Sequence, residues 1–238
     1  MPLFRIFLFI IGLVFGSFIT ALTWRYPKGI SIAKGRSICP NCRKQVSWRD
    51  NIPIVSYFLL GGKCRNCKVK ISLRYPLIEL AVGIGFVLIG FQILPLILFC
   101  LLEIIFVIDL ENQMIPDSFI FVGILLSLII NYQSPFTGLL AGFVCAIFLL
   151  LIFLFTKGHG MGLGDVKFAV LGGMIVGLPL FPIWLFVAFL TGAMVGIILI
   201  LGKKMGLKSK IAFGPFLVIS IPITLLWGQK IIDIILLR

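Results

Sequence analysis

The chain has 238 residues, 61% of them hydrophobic, with a mean hydropathy of +1.20. Soluble domains carry roughly 45–50% apolar residues, so this composition excludes a soluble globular protein and indicates a polytopic membrane protein. The net charge of +13 (21 Lys or Arg against 8 Asp or Glu) would suit nucleic acid by magnitude; its placement beside apolar spans instead sets membrane topology and draws the chain to anionic lipid, so no nucleic-acid partner is expected.

A crossing needs about 20 largely apolar residues, and Gly, Pro and charge clusters divide the chain into eight candidate spans at 3–23, 76–92, 95–109, 118–132, 136–155, 166–181, 183–201 and 212–228. The first could be mistaken for a secretory signal, but it is long enough to span and lacks a small-residue cleavage pattern, so it is expected to be retained. Pro95, Pro135 and Pro182 stand at helix starts, where a missing N–H costs nothing. With the segment 24–75 in the cytoplasm, alternating spans place eighteen basic residues inside and leave only Arg5, Lys230 and Arg238 outside. The N-terminus is then outside, and the loops near 24–75, 110–117, 156–165 and 202–211 are cytoplasmic. The expected fold is an all-α polytopic integral membrane protein of about eight transmembrane helices with a small cytoplasmic zinc-binding loop built on four cysteines. Its parts are a first transmembrane helix (1–23), the loop (24–75) and a transmembrane core (76–238).

The loop contains CPNC, with Cys39 and Cys42, and CRNC, with Cys64 and Cys67, separated by 21 residues. Each C-x-x-C makes a tight turn that aims two thiolates at one ion, so the paired units predict a tetrahedral zinc site on these four residues. The alternatives are two disulfides or four free thiols, and disulfides are disfavoured in a reducing cytoplasm. So small a loop has little core, and metal binding would supply much of its folding free energy. Four thiolates also leave no open position for water, so zinc is expected to be structural rather than hydrolytic. Cys100 and Cys145 fall inside apolar spans and read as ordinary buried residues.

The next spans carry Glu79 and Glu103, both read as structurally paired acids, with Arg74, Lys70 or a substrate residue as partner for Glu79. Four of the eight acids then converge on two loops predicted to face one side: Asp109, Glu111 and Asp117 in IDLENQMIPD, and Asp165 in GLGD. Ionisable groups at membrane depth cost roughly 2.5–3.5 kcal/mol even on lenient insertion scales, so they mark function. The span ending at Asp109 is predicted to start at Pro95, which makes it short and holds Asp109 slightly below the membrane surface. Asp117 and Asp165 could each cap the helix that follows. Asp109 lies at a helix C-terminus, where the dipole disfavours an anion, and capping does not explain it. Two carboxylates brought together share a proton and become an acid and a base in one site, the chemistry of an aspartyl protease. The glycines of GMGLGD permit a close backbone approach, either for packing or to admit an extended substrate. Lys167 reads as a topology anchor, His159 as an unremarkable loop residue, and Phe213-Gly214-Pro215 as a turn opening the last span.

These features together resemble the type IV prepilin peptidases, integral membrane aspartyl proteases of the GxGD class. The resemblance is carried by GSF from Gly16, RYP from Arg25, the two C-x-x-C pairs, DNIPIVSY from Asp50, RYPLIEL from Arg74, the D-x-x-x-x-x-I-P-D run from Asp109, GLGDVK from Gly162 and FGP from Phe213. It implies that Asp109 and Asp165 are the catalytic aspartates and that FGP borders the active site. It implies as substrates the precursors of type IV pilins or pilin-like pseudopilins, cut after a glycine at the end of a short basic leader, in the bacterial inner membrane. It also implies N-methylation of the new terminus from S-adenosylmethionine, with the cysteine-bearing loop as the suspected methyltransferase-associated region. One departure is Thr20, where the family usually has Asn, which leaves a role for that side chain unsupported. No G-x-G-x-x-G fingerprint follows a strand, so motif chemistry does not locate the methyl-donor site. Two rival readings predict otherwise: a polytopic cation transporter with intramembrane carboxylates and a metal-sensing cysteine loop, and a zinc-dependent scaffold in a secretion complex.

Overall fold

The computed structural model describes residues 2–32, 35–203, 206 and 211–235; Lys34, Lys204, Lys208, Lys210 and Arg238, which entered the charge count above, lie outside the described residues. Among the described residues the regular structure is helical: α1 (Pro2–Arg25), α2 (Val55–Leu59), α3 (Arg74–Ile89), α4 (Ile93–Asn112), α5 (Asp117–Ile130), α6 (Pro135–Phe155), α7 (Leu163–Val176), α8 (Phe181–Leu201) and α9 (Gly214–Ile235). Every predicted span is a helix, and α2 is an added turn in the cysteine loop. Five helices, α1, α4, α6, α8 and α9, are long and apolar enough to cross a membrane, whereas α3 has 16 residues and α5 and α7 have 14 each.

Two boundaries differ from expectation for identifiable reasons. Helix α4 begins at Ile93, with Pro95 inside its first turn, and runs for 20 residues to Asn112. At 1.5 Å per residue it is about 30 Å long, so the predicted shortness of this span is not found, and Asp109 lies in the last turn rather than at the terminus. Helix α7 stops at Val176, not 181, because Gly177 takes a left-handed φ of 70° and Pro179 follows without an N–H.

The chain divides into two compact units, residues 1–104 and 105–238. In the first, α1 packs on α3 through Gly12 and Gly16, a G-x-x-x-G pair on one helix face. A Cβ on Gly12 would lie 2.8 Å from the Gly83 Cα, and one on Gly16 would lie 2.6 Å from the Glu79 Cα, so the two backbones touch. The opposite face of α1 leaves Leu3, Phe7, Ile10, Val14 and Phe18 exposed, as suits lipid contact.

In the second unit α7 is the central helix, packed against α5, α6 and α9. Phe168, Ala169, Leu171 and Met174 are all buried, and glycines let neighbours approach on several sides. A Cβ on Gly173 would meet the Gly142 Cα of α6 at 2.7 Å, and one on Gly123 of α5 would meet Leu171 at 2.7 Å. A helix that is apolar all round is a buried one. At 14 residues, about 21 Å, α7 is surrounded by protein, and its polar first turn carries Asp165.

Candidate functional site

Three helix ends of the second unit meet around two carboxylates. Asp109, in the last turn of α4, is 5% exposed, and Asp165, in the first turn of α7, is 7% exposed. The charge on Asp109 acts directly on Asp165, so the two groups are within electrostatic reach. The third end is the start of α9, where the Gly214 backbone N–H faces the Asp109 carboxyl. A side chain there would collide with it: a Cβ on Gly214 would lie 2.5 Å from Asp109 Oδ2 and 3.1 Å from Ile115 Cδ1. Ile115 also abuts Gly164, whose Cβ would lie 3.3 Å from the isoleucine Cβ. A single apolar side chain therefore spaces the starts of α7 and α9.

The polar contacts of the pair are few. The Gly162 N–H donates to Asp165 Oδ2 at 3.1 Å, so Asp165 does not cap a helix starting at 166 as expected; it lies in the first turn of α7 and reaches back to the backbone of the N-cap residue, Gly162. Among the described residues, Asp109 Oδ2 is buried and has no hydrogen-bond partner. An orphaned buried carboxylate oxygen is costly and implies a group that engages a proton or a ligand. Gly162 packs beside the carboxyl: a Cβ there would be in van der Waals contact, 3.4 Å from Asp165 Oδ2.

Neighbouring charged residues separate cleanly from the pair. Asp117 pairs with Lys167 at 2.7 Å on an exposed surface, and it is the first residue of α5, whose N-cap is Pro116. Thus Lys167 serves Asp117 rather than Asp165, and His159 is exposed. Oε2 of Glu79 accepts the Ile54 N–H at 2.7 Å, while the Arg74 guanidinium donates to the Thr20 carbonyl and the Thr23 hydroxyl. The Thr20 hydroxyl is spent on the Ser17 carbonyl at 2.7 Å.

The cysteine loop forms two matching knuckles. Cys39 N–H donates to the Lys44 carbonyl and Cys64 N–H to the Val69 carbonyl; the returning bonds, Arg43 N–H to the Cys39 carbonyl and Lys68 N–H to the Cys64 carbonyl, close the turns. Isolated bridges Ile38–Gln45 and Lys63–Lys70 flank them, and Arg43 and Lys68 take left-handed φ values of 55° and 58°. The Sγ atoms of Cys39, Cys42, Cys64 and Cys67 all lie within 4.8 Å of one another, with Cys39 and Cys67 3.8 Å apart. Four sulfurs at about 2.3 Å from one ion stand about 3.8 Å apart on a tetrahedron, so this cluster could hold a metal. The Val69 backbone N–H, donating to the Cys67 sulfur, holds that thiol down at about 6, and the Cys42 N–H likewise lowers Cys39. The turns therefore favour the thiolate at these two positions, whereas desolvation and the neighbouring Cys39 and Cys67 push the Cys42 thiol up to about 11. No disulfide joins them.

The sequence reading brought together Asp109 with Asp165 and the four cysteines with one another. It did not anticipate Ile115 as the spacer or the contact of Gly16 with Glu79, although the four-residue interval between Gly12 and Gly16 was a readable signal.

Comparisons with known proteins agree with this division. Residues 10–93 match the model of a bacterial peptidase A24 N-terminal domain, and residues 96–197 match the type IV leader peptidase family. The chain is 34% identical over 254 residues to a prepilin leader peptidase/N-methyltransferase of Neisseria gonorrhoeae, covering 89% of this chain and 86% of that one. It is 31% identical over 260 residues to the protein of that description from Pseudomonas aeruginosa, covering 93% and 90%. With the one from Klebsiella pneumoniae it shares 36% over 197 residues, covering 74% and 86%. No solved structure matches the chain.

Proposed function

The chain belongs to the type IV leader peptidase family, and from that premise we propose that it removes the short basic leader of type IV prepilins or pseudopilins with Asp109 and Asp165, and N-methylates the terminus so exposed. The observation that carries the hydrolytic half is the orphaned Asp109 Oδ2, buried against the start of α9 and within electrostatic reach of Asp165. One carboxylate of the pair, ionised, takes a proton from water as the water attacks the scissile carbonyl. The other, protonated, hydrogen-bonds that carbonyl oxygen and then supplies the leaving amine's proton. Coupled carboxylates titrate as a pair, so the two roles belong to the dyad. Gly162 and Gly214 let the backbones at the starts of α7 and α9 lie directly against the two carboxyls.

Cys39, Cys42, Cys64 and Cys67 would hold zinc, which closes the two knuckles into one module and leaves no coordination position for a reacting water. The methyl-transfer half rests on the joint names of the relatives, and S-adenosylmethionine would supply the electrophilic methyl group. The excess of basic residues around the cysteine loop and beside Asp165 supports an active site at the cytoplasmic face of a bacterial inner membrane.

Asp109→Asn and Asp165→Asn, made separately, should each lower leader removal from a prepilin in membranes by about a thousandfold or more. Normal processing by either variant would overturn the dyad.

A further inference from the structure

Between the two knuckles runs the segment 48–59, a 3-10 turn (Trp48–Asn51) followed by α2, which contains most of the DNIPIVSY run. None of its side chains belongs to the cysteine cluster or to the aspartate pair. Its middle is nonetheless pinned. The Ile54 N–H donates to Oε2 of Glu79 at 2.7 Å, and the Glu79 Cα lies against Gly16 of α1. Gly16 stands nine residues before the basic end of α1 at Arg25, about 13 Å back along the helix. Ile54 also holds a left-handed φ of 59°, a costly conformation for a β-branched residue that persists only where its surroundings fix it. The segment therefore descends beside α1 instead of standing off its end.

The neighbours at that level are apolar. Trp48, Ile52 and Pro53 share the walls of an open cavity of about 1090 Å³ with Val14 and Phe18, two residues of the α1 face that suits lipid contact. The outward side chains of the segment are large and unpaired with any core: Trp48 is 75%, Phe58 73% and Leu59 79% exposed. Facing water, such a cluster would be unfavourable. The surroundings are cationic as well. Residues 35–73 carry eight Lys or Arg against one acid, Asp50, and Asp50 is bound to Arg65. The Arg49 guanidinium lies 5.4 Å over the Trp48 ring, which joins a charge to an amphipathic aromatic of the kind that sits at headgroup level.

Exposed aromatic and Arg side chains also suit a protein partner, but depth along α1 and the surplus of positive charge favour lipid. We propose that the segment 48–59 is an interfacial wedge in the leaflet at the basic end of α1, with Trp48, Phe58 and Leu59 among the upper acyl chains and Arg49 and Lys63 against anionic headgroups. The two knuckles then stand on a membrane-embedded foot, and the DNIPIVSY run supplies that foot. The wedge holds or fails independently of leader cleavage and methyl transfer.

The test uses the full chain, zinc-loaded, in nanodiscs of phosphatidylglycerol brominated near the upper end of its acyl chains. Emission from Trp48 is taken as the difference between the unaltered chain and Trp48→Phe. It should fall by about half or more relative to unbrominated lipid, and acrylamide in the water should quench it little. Strong quenching by acrylamide with no effect of the brominated lipid would overturn the wedge. A second measurement places p-benzoylphenylalanine at Phe58 in the full chain and irradiates bacterial membranes that contain it. A phospholipid adduct is expected. An adduct with another protein would overturn the proposal in favour of a protein-docking face, and the absence of any adduct would count against it by placing that side chain in water.

Discussion

The cysteine module and the aspartate pair are built on opposite principles. Each knuckle is a local object: five or six consecutive residues close their own hydrogen bonds, and the two copies then need only to meet. The aspartate site has no local structure of its own. It exists because the end of α4, the start of α7 and the start of α9 converge on Ile115, with two glycines leaving space for carboxylates. A site of the first kind should fail when a ligand is lost and tolerate changes elsewhere. A site of the second kind should fail through small displacements that leave the fold intact.

The sharpest way to break this contrast is Gly214→Ala. The new methyl group would lie 2.5 Å from Asp109 Oδ2, and the carboxylate can move aside at little cost in stability. A displacement of about 1 Å at a catalytic group costs on the order of a hundredfold in rate, so leader cleavage should fall about that much while the thermal midpoint changes little. Cleavage at the normal rate would mean that the position of Asp109 is not critical.

The converse experiment removes the metal. Chelation, or Cys67→Ser, should lower hydrogen-exchange protection across Cys39–Val69 by about tenfold or more, because the bound ion supplies folding free energy there. Leader cleavage should change by less than about threefold. A proportionate loss of cleavage in protein that remains folded would show that the two sites are not independent.

A smaller effect concerns pH. Hydrogen bonds from Arg65 hold the Asp50 carboxyl below its ordinary value of 3.8. The pair therefore contributes its full stabilisation above that value and loses it as pH falls through the lower folded-state value. Exchange protection in the metal-loaded module should decline on acidification below about pH 4, and Asp50→Asn should flatten this part of the profile. The smallest effect comes from Arg43, whose left-handed φ of 55° penalises a residue with a Cβ. Arg43→Gly should raise module stability by a net of about 0.5 kcal/mol, after allowance for the greater freedom of glycine in the unfolded chain, as read from the denaturation midpoint.

The same contrast explains what the sequence made legible. The knuckles could be read in full because spacing dictates turn geometry over a few residues. The helices could be located because apolar runs of span length have few alternatives, yet their ends shifted wherever a Pro or Gly acted differently from its usual role: Pro95 was absorbed into the first turn of α4, and Gly177 ended α7 early. Charges were harder. Asp117 and Lys167 are far apart in sequence and find each other only through packing, so capping and anchoring looked sufficient for them separately. Glu79 was expected to seek a base and instead takes a backbone N–H from the loop, a partner that no side-chain pattern announces.

The backbone contact of α1 with α3 has a consequence for the segment between them. With Gly16 seated on Glu79 and Arg74 bonded to Thr20 and Thr23, residues near 24 and 74 are held together by contacts outside the cysteine loop, so the loop is a closed ring rather than a free chain. Closing some fifty residues costs roughly 3 kcal/mol of chain entropy, and two glycines and a helix face remove most of it. The helix pair therefore acts on the metal module as a covalent cross-link would, without a bond and without any residue inside the module. A bulky side chain at Gly16 would weaken metal affinity from a distance.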